Sequence, residues 1–135
     1  MASVLLVDDD MGWLGSLGVA IAAEGYVVRT ASNGEQALLL ARAMRPDIVV
    51  TDCAMPGMNG VKLIRAMLAE PGLEQIPVIL ISDSRRRPSV PCASFMHKPF
   101  SAIALLRQLQ IVERRQRGGK RSILKMAVSR FSRNR

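Results

Sequence analysis

The apolar residues of this chain fall into five short runs, separated by longer segments in which apolar residues recur with helical spacing. Short apolar runs between helical segments are typical of buried strands in a parallel sheet. The predicted strands are residues 3–7, 26–31, 47–51, 77–81 and 93–97. This alternation predicts an α/β fold in which helices cover both faces of one five-stranded parallel sheet.

Full helices are predicted after each of the first three strands and after the last one. The apolar positions of the last helix that we expect to face the core are Ile103, Leu106, Leu109 and Val112. Between the fourth and fifth strands only a short polar stretch remains, and it contains Pro88 and Pro91. Because proline breaks helices, this stretch has room for one or two helical turns at most.

Four of the predicted strands end in polar side chains that suit phosphoryl transfer. Asp8 and Asp9 follow the first strand and Asp52 the third, while Ser82 and Lys98 follow the fourth and fifth. Ligands of open α/β sheets bind at the carboxyl ends of the strands, so these side chains should share one pocket. Three carboxylates there would raise one another's pKa unless a cation such as Mg²⁺ neutralised them. A carboxylate can also accept a phosphoryl group covalently.

In their sequence context these residues resemble the receiver domain of two-component response regulators. The matching segments lie within residues 2–113 and are Val7-Asp8-Asp9, Thr51 to Gly60, Ile81-Ser82 and Lys98-Pro99-Phe100. The resemblance implies a flavodoxin-like, doubly wound sheet with strand order 2-1-3-4-5. It also implies a stand-alone, CheY-like phosphorylation switch, since residues 114–135 are too few for an ordinary DNA-binding output domain.

The resemblance further implies a Mg²⁺ site. Asp9 should bind the metal directly and Asp8 through water. Asp52 and the backbone carbonyl of Ala54 should complete the protein ligands.

Roles in phosphorylation follow from the same resemblance. Asp52 is the implied phosphoacceptor, and the donor is a sensor histidine kinase or a phosphotransfer protein. Lys98 should pair with the phosphoryl oxygens, and Ser82 should donate its hydroxyl to them. Phe95 stands where receivers place an aromatic switch residue, although a simple core role fits it equally well. Asp10 is interpreted as a helix N-terminal acid, not a ligand, and Trp13 as helix packing near the pocket.

Two features depart from the family's pattern. Asp83 follows the switch hydroxyl where receivers usually carry a small residue, and it would add a fourth carboxylate at the pocket rim. Ser82 and Lys98 are only 16 positions apart, fewer than is typical of receivers. The missing residues belong to the fourth helix, so we expect that helix to be shortened and the output surface beside it to be rebuilt.

The net charge of +8 is confined to the C-terminal end. Residues 1–113 carry 10 Lys/Arg and all 11 Asp/Glu, a net of −1, whereas residues 114–135 carry 9 Lys/Arg and no acid. We therefore predict a receiver domain over residues 1–117 and a basic tail over residues 118–135, set apart by Gly118-Gly119. The tail's apolar residues have the spacing of an amphipathic helix and are Ile123, Leu124, Ala127, Val128 and Phe131.

Several uses of the tail stay open. It is either a frayed end or a segment that docks on its own receiver, on a second copy in a homodimer, or on a protein partner. Contact with nucleic acid or an anionic membrane is less favoured.

Two other functions compete with the phosphorylation switch. One is a degenerate receiver that acts unphosphorylated as a protein-interaction module. The other is a metal-dependent phosphatase of the haloacid dehalogenase type, which uses an Asp-x-Asp such as Asp8 and Asp10 but also needs an acidic pair that is missing after Lys98. The switch itself is not an enzyme beyond self-phosphorylation and autodephosphorylation.

The cytoplasm is the expected location, because the sequence has no signal peptide and no apolar stretch long enough to cross a membrane. Cys53 and Cys92 should lie on opposite rims of the sheet and stay reduced.

Overall fold

Strands and helices alternate along the chain. The computed structural model describes the backbone of residues 2–133 and the side chains of residues 2–118. The elements within this range are β1 (Ser3–Val7), α1 (Met11–Ala23), β2 (Val27–Ala31), α2 (Gly34–Met44), β3 (Ile48–Asp52), α3 (Gly60–Leu68), β4 (Val78–Ser82), β5 (Ser94–His97) and α4 (Ala102–Arg133).

All five strands pair in parallel, in the order β2-β1-β3-β4-β5. The register sets Val7 beside Thr51, so the residues after β1 lie next to the end of β3. Ser82, at the end of β4, pairs with His97 at the end of β5. The predicted flavodoxin-like order 2-1-3-4-5 is therefore confirmed, and the carboxyl ends of β1, β3, β4 and β5 share one edge of the sheet.

The two faces of the sheet carry separate hydrophobic cores. Leu5 and Val7 belong to the core under α2 and α3. Val4 and Leu6, which alternate with them, belong to the core under α1 and α4. Each fully buried aliphatic side chain contributes roughly 1.5–3 kcal/mol from its transfer out of water. This double burial explains why the central strands appear in the sequence as continuous apolar runs.

One predicted core position of the last helix is wrong. Ile103 is 63% exposed, whereas Leu105, two residues further along the helix, is fully buried. Leu109 and Val112 are buried as predicted, and Leu106 packs partly buried against the same core. The first turn of α4 is apolar at both positions, so helical spacing alone fits either one, and packing against the core selects Leu105.

The segment between β4 and β5 contains no helix over residues 83–93, which agrees with the prediction of one or two turns at most. Its chain forms bends, and the amide of Val90 donates to the carbonyl of Pro88 at 2.9 Å. Two prolines lack the amide hydrogens that a helix needs, and each restricts the residue before it to extended conformations. Val90 is 7% exposed and supplies the segment's buried contact with the core.

Helix α4 runs without interruption from Ala102 to Arg133. The helix continues through Gly118 and Gly119 at a cost of ~1 kcal/mol each, so the chain does not turn at these glycines as the sequence suggested. The division of the chain into a receiver and a basic tail stays a prediction. The 32 residues of α4 give a length of about 48 Å, nearly three times the ~17 Å of a five-residue strand. The apolar residues predicted to form a stripe between 123 and 131 lie outside the described side chains. Along the described part of the chain, no helix combines the length and hydrophobicity that a bilayer crossing requires.

Candidate functional site

Three carboxylates meet where β1 and β3 end. Oxygen atoms of Asp8, Asp9 and Asp52 lie within 4.8 Å of one another. Asp8 is 1% exposed and Asp52 6%, whereas Asp9 is open to solvent. Burial raises the pKa of Asp8, and the pKa of Asp52 is raised first by burial and then by the charge of Asp8. Two of the three acids thus carry an unfavourable charge that a cation would relieve.

Lys98 supplies one positive charge to this cluster. Its Nζ atom lies 3.4 Å from Oδ2 of Asp8 and 3.4 Å from Oδ2 of Asp52. Burial lowers the pKa of Lys98, but the charges of Asp52 and Asp8 outweigh it and the net shift is upward. The backbone holds the lysine in place, because its amide donates to the carbonyl of Ser82 at 2.9 Å. The peptide bond from Lys98 to Pro99 is cis.

The cluster fits a divalent cation. Oδ1 of Asp52 is buried and has no hydrogen-bond partner among the described residues. A buried carboxylate oxygen without a partner is costly, and metal coordination would satisfy it. Oxygen ligands on opposite sides of Mg²⁺ are about 4.2 Å apart. The spacing of the three acids therefore suits one such ion, bound directly or through water.

The loop after β3 is held close to Asp52. A side chain at Gly60 would place its Cβ 2.3 Å from the carbonyl oxygen of Asp52, so only glycine fits at this position. The amide of Gly60 donates to the carbonyl of Cys53 at 3.0 Å, and the amide of Met58 donates to the Glu35 carboxylate at 3.2 Å. Gly57 has a φ of 73°, a conformation that favours glycine.

The family model for the response regulator receiver domain matches residues 4–110. This chain belongs to the response regulator receiver family. It is therefore a receiver domain of the kind that operates in two-component signalling. Receivers are in general phosphoacceptor switches, which histidine kinases phosphorylate at an acidic, Mg²⁺-binding pocket.

Individual relatives agree with this assignment. The chain is 32% identical over 119 residues to the response regulator PleD of Caulobacter vibrioides, covering 84% of this chain and 26% of PleD. It is 34% identical over 79 residues to the DNA-binding response regulator MtrA of Mycobacterium tuberculosis, covering 58% of this chain and 33% of MtrA. The chain thus spans about a third or less of the length of these curated relatives.

Similar solved structures include the chemotaxis response regulator CheY4 of Vibrio cholerae. It has a TM-score of 0.78 and 29% identity, and the alignment covers 83% of this chain and 98% of that one. The signal receiver domain of a histidine kinase from Syntrophus aciditrophicus has a TM-score of 0.77 and 26% identity, covering 83% of this chain and 89% of that one.

The remaining predicted site residues of this receiver lie on β4, on β5 and in the loop after β3. Ser82 is 7% exposed at the end of β4, and its Oγ accepts a hydrogen bond from the amide of Ser84 at 3.0 Å. Ala54 is exposed two residues beyond Asp52. Phe95 is half-buried in β5 and packs against the core under α2 and α3. The switch roles of Ser82 and Phe95, and the carbonyl ligand at Ala54, stay predictions.

The receiver pocket has an aromatic side that the sequence only partly indicated. Trp13 was expected near the pocket as packing, but its ring centroid lies 5.0 Å from Nζ of Lys98. Phe100 meets the indole edge-to-face, with centroids 5.7 Å apart and an interplanar angle of 81°. Asp10 is confirmed as the cap of α1, because its Oδ1 accepts from the amide of Trp13 at 3.1 Å. The sequence feature that could have indicated the position of Trp13 is the cap at Asp10, which fixes Trp13 in the first turn of α1.

Asp83 lies at the exposed rim, as predicted. Its charge is one of the groups that raise the pKa of Lys98. Its backbone carbonyl lies 2.7 Å from Nε2 of His97. The end of β5 and the residue after β4 are therefore joined on the outer side of the pocket.

The two cysteines are both free thiols. Cys53 follows β3 at the carboxylate end of the sheet, and burial followed by the charge of Asp52 raises its pKa. Cys92 precedes β5 and lines a groove of about 230 Å³ near the opposite end. The prediction of opposite rims is confirmed.

Proposed function

We propose that this receiver accepts a phosphoryl group on Asp52 from a sensor histidine kinase or a phosphotransfer protein, with Mg²⁺ bound at Asp8, Asp9, Asp52 and the Ala54 carbonyl. The observation that carries the proposal is the state of the Asp52 carboxylate. One of its oxygens is paired with Lys98 and the other, Oδ1, is buried without a hydrogen-bond partner among the described residues.

The chemistry at Asp52 is a direct displacement at phosphorus. A bond forms between a carboxylate oxygen of Asp52 and phosphorus, while the bond between phosphorus and the donor's imidazole nitrogen breaks and the nitrogen keeps the electron pair. Lys98 stabilises negative charge on the transferring group, because its ammonium already lies beside the acceptor. When bound, Mg²⁺ supplies further charge neutralisation.

Phosphorylation would then change the conformation around Ser82. The aspartyl phosphate adds acceptor oxygens beside the ammonium of Lys98, and the hydroxyl of Ser82 can donate to one of them. This donation would draw the Ser82 hydroxyl toward Asp52, and the segment after β4 would move with it because the amide of Ser84 donates to the same oxygen at 3.0 Å. Phe95, next in register to Leu80 on β4, would turn inward with it and alter partner binding.

The test is the mass of the intact protein after treatment with acetyl phosphate and Mg²⁺. Wild type should gain one phosphoryl group, which alkaline hydroxylamine removes as it does from acyl phosphates. Asp52→Asn should gain none. Asp47→Asn is the matched control, because this exposed acid hydrogen-bonds Ser3 at the other end of the sheet and should leave labelling unchanged. Unchanged labelling of Asp52→Asn would reject Asp52 as the acceptor.

The second candidate function is an interaction module that works without phosphorylation. The rim carboxylate of Asp83 and the absence of a helix over residues 83–93 favour it, because both alter the surface beside the acceptor. A wild-type protein that stays unlabelled, while still binding a partner, would support this candidate.

The domain division also belongs to the proposal. We assign residues 1–117 to the receiver and residues 118–135 to a basic output segment. The segment continues α4 and carries only positive charges among its ionisable side chains. The segment would bind a protein partner or a second copy of the chain, because the amphipathic spacing of its apolar residues suits contact with a protein surface.

A further inference from the structure

Four residues form a closed ring of contacts on the α1 side of the acceptor pocket. Oδ1 of Asp8 accepts from the amide of Asp10 at 2.9 Å, and Oδ1 of Asp10 accepts from the amide of Trp13 at 3.1 Å. The centroid of the Trp13 ring lies 5.0 Å from Nζ of Lys98. The same Nζ atom lies 3.4 Å from Oδ2 of Asp8, which closes the ring of contacts. The first turn of α1 and the lysine after β5 are thus joined through one buried carboxylate.

The contacts between Lys98 and the carboxylates are long. At 3.4 Å they exceed the usual 2.7–3.2 Å of a hydrogen bond from nitrogen to oxygen. A lysine ammonium on a flexible four-carbon stem can leave such long contacts for water more easily than it could leave short ones. A further contact that restricts the ammonium to the pocket would therefore add to the attraction of the two carboxylates.

The indole of Trp13 is suited to this restriction. A tryptophan ring face attracts a cation within about 6 Å of its centroid, most strongly where the pair is shielded from water. It offers the ammonium no oxygen, so it does not compete with a phosphoryl oxygen for the hydrogens of Lys98. The edge-to-face contact with Phe100, two residues beyond Lys98, keeps the ring from turning away.

We propose that Trp13 is a positioning residue for phosphoryl transfer, which acts by holding the ammonium of Lys98 beside the acceptor carboxylate of Asp52. This inference rests on the proposed function and extends it to a side chain that touches neither the metal ligands' oxygens nor the phosphoryl group.

The test is the rate at which acetyl phosphate with Mg²⁺ labels Asp52, followed by intact mass. Trp13→Leu should slow labelling about fivefold, which corresponds to ~1 kcal/mol of cation–π attraction at tenfold per 1.4 kcal/mol. Trp13→Phe keeps an aromatic face and should fall between Trp13→Leu and wild type. Val19→Ala, on the same helix with 73% exposure, is the control and should match wild type. Circular dichroism melts of each variant test whether it is folded.

The role of Lys98 in the effect is tested by a double-mutant cycle. In a Lys98→Met background, Trp13→Leu should produce no further slowing, because there is no ammonium left to position. Equal slowing in both backgrounds would overturn the proposal, and so would wild-type rates in Trp13→Leu. A wild type that takes up no label at all instead rejects the proposed function, so the two failures are distinct.

Fluorescence provides a readout that needs no phosphorylation. Trp13 is the single tryptophan of the chain, so its emission reports on this site alone. Mg²⁺ should change that emission in wild type, because the cation draws the carboxylates of Asp8 and Asp52 away from the ammonium beside the ring. In Lys98→Met the change should be largely lost. An equal response in Lys98→Met would contradict the proposal even if that variant labels too slowly to measure.

Discussion

Gly60 packs directly against the backbone of Asp52, so that a Cβ on residue 60 would lie 2.3 Å from the carbonyl oxygen of Asp52. The same Cβ would lie 3.0 Å from Cδ1 of Leu80 on β4. Neither neighbour can move freely, because one is strand backbone and the other is fully buried. The start of α3 and the backbone of Asp52 are therefore held close together at Gly60.

Gly60→Ala should consequently destabilise the fold and disturb Asp52 together. We expect a loss of about 1–3 kcal/mol in the free energy of unfolding, as for other overpacked sites, and slower labelling of Asp52. Denaturant unfolding and intact mass measure the two effects. Gly15→Ala is the matched control, since a Cβ there meets nothing within 4 Å and alanine favours helix by roughly 1 kcal/mol. A Gly60→Ala protein as stable as Gly15→Ala would contradict the contact.

Mg²⁺ binding should depend on Asp9 and weaken as the pH falls. The metal requires deprotonated ligands, and the pKa values of Asp8 and Asp52 lie above their ordinary value of 3.8. As the pH is lowered, the affinity for Mg²⁺ should therefore start to fall at a higher pH than it would at a site made only of exposed carboxylates. Titration followed by Trp13 emission measures it, and Asp9→Ala should abolish the response. Binding by Asp9→Ala that equals wild type would show that the metal lies elsewhere.

The metal-free protein should lose stability as the pH rises through these raised pKa values. Asp8 and Asp52 bind protons more tightly in the folded state than in the unfolded state, so deprotonation above the folded pKa favours unfolding. Asp52→Asn removes one of the two charges and should be more stable than wild type at neutral pH without Mg²⁺, by ~1 kcal/mol. Thermal melts across the acidic to neutral range test this. Asp52→Asn melting below wild type at neutral pH would refute it.

Lys98→Ala should cost stability that Mg²⁺ restores. The substitution leaves two buried carboxylates without their counter-charge, an unfavourable arrangement that we expect to lower the free energy of unfolding by about 1–3 kcal/mol. Added Mg²⁺ should then raise the melting temperature of Lys98→Ala more than that of wild type. Lys62→Ala, on the exposed side of α3, serves as the control. An identical Mg²⁺ response in all three proteins would argue against a shared charge site.

Deleting residues 118–135 should leave labelling of Asp52 intact while it changes self-association or partner binding. The carboxylate cluster lies at the carboxyl ends of the strands, whereas the deleted segment continues the far end of α4. Sedimentation and pull-downs at low and high salt compare the truncated and full chains. Binding that disappears at high salt would indicate phosphate-rich surfaces, and binding that persists would indicate a protein contact. If the two proteins behave alike at both salt concentrations, the output assignment is wrong.

The amino-acid sequence determined the sheet and the membership of the pocket. Apolar runs mark strands buried on both faces, and parallel pairing brings their ends together, so Asp8, Asp9, Asp52 and Lys98 had to meet if the strand order was right. The cap at Asp10 was equally predictable, since a cap involves only neighbouring residues. These features depend on local spacing and on one topological rule.

Only the tertiary structure determined which residues of different elements contact one another. Trp13 and Lys98 lie 85 positions apart in the chain, and nothing in their local spacing places one ring beside one ammonium. The same holds for the burial of Leu105 in place of Ile103, which depends on how α4 sits on the sheet. The loop over residues 83–93 follows from Pro88 and Pro91, since proline is unfavourable in a helix by ~3 kcal/mol. The unbroken helix through Gly118 instead reflects competitions of about 1 kcal/mol per glycine between backbone propensity and context. Such small differences are resolved by the packing of the whole chain, and residue type alone does not decide them.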